Sequence, residues 1–172
     1  MELMNGMPSL PVVLVLVVLV APVLVAVHEA GHALAALVLT RDPVDVVVGS
    51  EGRAARLRVG RVMLALHPFL RPDRMGGSVG LDDAALSARG ALAVALAGPA
   101  ASSLGTVATA LALERTAPGL LHDVLAVATL GGLMTVAINL VPMRVVERRG
   151  EPPWRTDGLL ALEAVRALHW GR

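Results

Sequence analysis

The sequence predicts an all-α membrane protein with a three-transmembrane-helix core, a short β-rich cytoplasmic loop and a C-terminal amphipathic helix. Three observations predict it. The 172 residues are 55% hydrophobic with a mean hydropathy of +0.69, while only 17% are charged and 2% aromatic. Three uncharged runs are each long enough to cross about 30 Å of hydrocarbon. All basic residues are Arg, and they crowd into two of the polar segments between and after those runs. A disordered chain has the opposite balance, and a soluble domain of this size carries more surface charge and more core aromatics. The length suits a single domain over residues 1–172. The Arg are scattered rather than massed, which argues against nucleic acid as a partner. The absence of Cys excludes disulfides, thiolate metal sites and a cysteine nucleophile.

The first span covers about residues 11–40. Leu3 to Val27 carry no charge, and Leu10 to Leu19 are nearly all Val and Leu. A helix of that length measures roughly 45 Å, so it is expected to tilt, with Pro22 as its kink. A cleaved signal peptide would have a basic start and a shorter apolar run. The loop 41–89 holds eight Arg; its Val44–Val48 and Arg56–Leu66 stretches are β-branched and partly alternating, predicting two or three short strands with Gly60 at a bulge. The second span covers 90–113 and the third about 120–142. Beyond Arg144 the tail holds further Arg, including Arg148-Arg149, and ends in a helix over 158–170. Three spans put the 41–89 loop and the tail on one side, with every Arg except Arg115. The positive-inside rule makes that side cytoplasmic and the N-terminus external, as in a multi-pass protein of the cell membrane.

One cluster carries chemistry: His28-Glu29-Ala30-Gly31-His32. On a helix, positions i and i+4 share a face, so both imidazoles reach one metal ion. Glu29 is rotated about a hundred degrees from His28, placed to take a proton from a metal-activated water rather than to ligate. Zinc fits, because it accepts neutral imidazole and in catalytic sites keeps one position for water, whose pKa it lowers to about 7. Three ionisable residues in five positions of an apolar helix are costly and mark a functional site. Gly31 suits a close approach by a neighbouring helix.

Such a site needs a third protein ligand, a carboxylate or His. The candidates are His67, His122, Asp123, Glu147, Glu151, Asp157, Glu163 and His169. The histidines lie in the inner part of the first span, which disfavours His122 and Asp123 at the outer end of the third. Asp157-Gly158 opens an apolar run on the correct side, but an Asp there also reads as an ordinary helix N-cap; position alone leaves both open.

With these residues in view, the chain resembles the site-2 protease family of intramembrane zinc metalloproteases. His28-Glu29-Ala30-Gly31-His32 lies in the first hydrophobic helix, Gly98-Pro99-Ala100 in the second resembles the family's Gly-Pro element, Asn139-Leu140-Val141-Pro142 closes the third, and Asp157-Gly158 follows. The resemblance covers nearly the whole chain as a bare catalytic core without a PDZ or CBS domain. It departs from the family in the fifteen-position step from Pro142 to Asp157, and in Thr156 where Leu is common. It implies Zn²⁺ held by His28, His32 and Asp157, Glu29 as the catalytic base, and Asn139 holding substrate or the developing oxyanion. On its residue type alone Asn139 reads as an interhelical hydrogen-bonding group. The substrate implied is a membrane protein with a transmembrane segment. The alternative is a catalytically idle membrane scaffold or regulator of the same fold. Gly98, Ser102 and Gly105 read as a packing seam, Trp154 and Trp170 as interfacial anchors, and His67 and His169 as surface histidines.

Overall fold

In a computed structural model, which describes residues 9–49, 53–68, 76–80, 86–145 and 154–171, the chain is mostly helical. Helix α1 spans Leu10–Leu39, α2 Ala88–Leu113, α3 Leu120–Leu140 and α4 Asp157–Trp170. The first three are long and apolar enough to cross a membrane, and their ends fall within two residues of the predicted ones. Helix α1 begins with Pro11 in its first turn, where a missing N–H has no intrahelical partner to lose. It runs on through Pro22 as one helix and stops at the extended Thr40. There the Arg61 guanidinium donates to the Thr40 and Leu37 carbonyls at 2.7 and 2.8 Å, satisfying acceptors that the last turn leaves open. Helix α2 lies against the other three. Gly31 makes the α1–α2 crossing possible: a Cβ there would run into the Ala97 carbonyl and Ala101.

Between α1 and α2, β1 (Val44–Val48), β2 (Ala55–Val59), β3 (Val62–Leu66) and β4 (Gly77–Gly80) form one sheet in the order β2-β3-β1-β4. Strands β1 and β3 are parallel, and the other two pairings are antiparallel. Gly60 is not at a bulge. Val59 pairs with Val62, leaving Gly60-Arg61 as a two-residue turn, and the Gly60 φ of +59° supplies the positive value that a hairpin of the primed type requires at its first central position. Val44, Val46 and Val48 alternate onto one face and pack on Ala33 and Ala36 near the end of α1. This clamps the sheet beside the C-terminal half of that helix. Two further short strands, β5 (Arg144–Val145) and β6 (Trp154–Arg155), pair antiparallel just before α4.

Candidate metal centre

His28, Glu29 and His32 are all buried on the C-terminal half of α1. The i, i+4 spacing brings their ring Nε2 atoms to 3.2 Å of each other. Helix α4 brings Asp157 to the same point: its Oδ2 lies 2.9 Å from His28 Nε2 and its Oδ1 3.3 Å from His32 Nε2. Donor atoms about 2.05 Å from one tetrahedral ion stand about 3.3 Å apart, close to the spacing between the two imidazole nitrogens and from each of them to one or other carboxylate oxygen. The buried His28, His32 and Asp157 can hold a metal ion.

The outer ring nitrogens decide what the inner ones can do. His32 Nδ1 donates to the Val94 carbonyl at 2.7 Å. A carbonyl only accepts, so the hydrogen sits on Nδ1 and the neutral imidazole keeps a lone pair on Nε2. That nitrogen faces a carboxylate oxygen and a second imidazole, an arrangement that a cation between them would satisfy. His28 Nδ1 shares a hydrogen bond of 2.9 Å with the Ser102 hydroxyl, which fixes the ring from the α2 side. Gly98, one turn before Ser102, has no room for a side chain, because a Cβ would fall on the His32 ring. Burial pushes the Asp157 carboxyl up, but the two facing imidazoles outweigh it and hold it below the usual carboxylate range.

Asp157 is not the helix N-cap. Thr156 takes that role, its hydroxyl accepting from the Leu159 amide, and Asp157 is the first helical residue. Gly158 packs on the Leu140 carbonyl at the end of α3, where a Cβ would overlap the backbone. This is a physical reason for glycine directly after the aspartate.

Glu29 lies within the cluster but makes no hydrogen bond to any described residue. Its side chain is covered by the backbone of Gly77, the first residue of β4, where a Cβ would strike the carboxylate stem. The remaining candidates lie elsewhere. Glu163 pairs with Arg155 at 2.9 Å and Arg144 at 3.7 Å. His122 and Asp123 sit together at the start of α3, and His169 is exposed in the last turn of α4. His67 follows β3, its amide bonded to the Val48 carbonyl. Glu147 and Glu151 lie outside the described residues. Asn139 donates from Nδ2 to the Thr135 carbonyl, one turn back on its own helix, at 2.9 Å. Sequence reasoning missed Ser102, Val94 and Gly77 as site neighbours; only the small size of Gly98 and Ser102 hinted at close packing there.

Fold and site together define the class: a helical protein with three membrane-length helices around a buried two-histidine, one-aspartate group able to hold a metal ion. No family model and no curated protein matches the chain, so the functional reading rests on geometry and motifs.

Proposed function

We propose that the chain is an intramembrane zinc metalloendopeptidase of the site-2 protease type, hydrolysing a peptide bond in or near a transmembrane segment of a membrane protein substrate. The observation that carries this reading is the convergence of His28 Nε2, His32 Nε2 and an Asp157 oxygen beside a buried glutamate that none of them pairs with. Two imidazoles and one carboxylate suit zinc, with a fourth position left for water. Bound zinc supplies a Lewis acid and lowers the pKa of a coordinated water to about 7. Glu29 takes the proton from the attacking water and returns it to the leaving amine. Val94 holds His32 in the tautomer this requires, and Ser102 orients the His28 ring. Asn139 serves the substrate side by analogy with the Asn-x-x-Pro element of that family.

A helical substrate must unfold locally before its scissile carbonyl is reachable, and an extended peptide needs backbone partners. Among the described residues strand β4 is one of the two edge strands of its sheet, and its first residue covers Glu29. A substrate segment added along that edge would pass directly by the base. The Arg distribution supports an external N-terminus and a cytoplasmic sheet and C-terminus. Helix α4 then lies at the cytoplasmic surface as the amphipathic element.

Co-expression with a panel of tagged single-span proteins tests the reading. Cleavage by the wild type that is lost in Glu29→Gln, with one zinc per chain in both, is the expected outcome. Equal cleavage by both proteins would overturn the mechanism, and a purified protein that holds no zinc would overturn the site.

A further inference from the structure

We infer that the Thr156 hydroxyl is the positioning group that delivers Asp157 to the metal-binding histidines; the inference rests on the zinc-site reading above. The problem it solves is visible in the chain. Helix α3 ends at Leu140 and the carboxylate that must meet His28 belongs to residue 157. Closing a loop of that length costs little, but a loop does not by itself orient the residue at its end.

Thr156 supplies the orientation. It is 1% exposed. Its hydroxyl donates to the Val141 carbonyl at 2.6 Å and accepts from the Met143 amide at 3.1 Å and the Leu159 amide at 3.4 Å. One donor and two lone pairs are all that a hydroxyl has, and each has a partner. The Leu159 bond is the ordinary cap of α4. The other two reach back to the segment leaving α3, which capping does not need. The Thr156 amide adds a fourth tie, donating to the Met143 carbonyl at 3.2 Å. On the other side of Asp157, Gly158 rests on the Leu140 carbonyl. The aspartate is thus held between two points fixed to the end of α3, with the short β5–β6 pairing leading into the first of them. The hydroxyl acts through Asp157 and touches no metal-ligating atom itself.

The test is the zinc dissociation constant of the full chain in nanodiscs, measured by competition with a chelator for wild type, Thr156→Val, Thr156→Ser, Asp157→Ala and Thr156→Val/Asp157→Ala. The near-isosteric Val variant should weaken zinc about 10- to 100-fold, as groups that orient metal ligands do, whereas Ser, which keeps the hydroxyl, should stay within about threefold of wild type on the same scale. The two variants lacking Asp157 should bind equally weakly, because the Thr156 effect runs through that side chain. Unchanged zinc binding in Thr156→Val would overturn the inference, and so would a full Thr156 effect persisting without Asp157. A metal-free readout separates this from the zinc reading itself. The chain has no Cys, so spin labels at Val38→Cys and Leu168→Cys report the distance from α1 to α4. Thr156→Val should broaden that distribution even if the wild type binds no zinc, and an unchanged distribution would overturn the positioning role.

Discussion

The two halves of α1 invert each other. From Leu10 to Val23 the helix exposes nearly every large side chain, Leu14, Val15, Val18 and Leu19 among them, and buries only Leu16. From His28 to Ala36 it buries two histidines and a glutamate together with Gly31, Ala33 and Ala36. In water this ordering would be unstable, with apolar surface outside and ionisable groups inside. In hydrocarbon it is the sensible one. Lipid tails solvate Leu and Val as well as a protein core does, so protein cover goes to the polar groups that need partners. Burial along this helix therefore tracks chemistry rather than hydrophobicity.

The largest effects should come from breaking the polar half. His28→Ala or His32→Ala removes one of three donors and should abolish most zinc binding, read as metal content of the purified protein. Glu29→Gln keeps all three donors and should retain zinc while hydrolysis falls about 10²- to 10⁴-fold, the usual contribution of a general base. Loss of zinc in Glu29→Gln would make Glu29 a ligand instead.

Two glycines of α2 sharpen the contrast at a smaller scale. A Cβ at Gly98 would fall on the His32 ring, whereas one at Gly105 would meet Val27 Cγ1 at an ordinary 3.7 Å. Gly98→Ala should therefore weaken zinc binding about 10- to 100-fold by turning the imidazole. Gly105→Ala should leave it unchanged. Equal effects in a chelator titration would mean that the helix crossing, not the His32 ring, is what Gly98 protects. Ser102→Ala, which removes the partner of His28 Nδ1, should fall near tenfold, at the low end of the same range, because a water in the vacated space can replace a hydroxyl.

The helices and the two-histidine motif were legible from sequence because both are local. A long uncharged run announces a span, and His28-Glu29-Ala30-Gly31-His32 states its own geometry through the helical repeat. Asp157 lies 129 positions from His28 and was separable from a simple N-cap only through resemblance; Thr156 as the observed cap settles that part structurally. Strand β4 was unreadable. Gly77-Ser78-Val79-Gly80 has almost no strand propensity, and its pairing with β1 alone makes it a strand. Ser102 looked like packing because its hydrogen-bond partner lies 74 positions away. What sequence hid, in each case, was the far side of a long-range contact.

The smallest effect tests the apolar half. Leu14 and Leu16 are near neighbours on α1, yet Leu14 is 57% exposed and Leu16 only 5%. In a soluble protein, Leu→Ala at a buried site costs both transfer from water and a cavity. In a bilayer the transfer part vanishes, since either state keeps the side chain in hydrocarbon. Only the lost packing remains, roughly 1 kcal/mol at Leu16. At Leu14, where lipid refills the space, the cost should be within about 0.5 kcal/mol of zero. Reversible unfolding of both variants in nanodiscs checks this. If Leu14→Ala proves as costly as Leu16→Ala, the N-terminal half of α1 is covered by protein rather than lipid, and the contrast between its two halves fails.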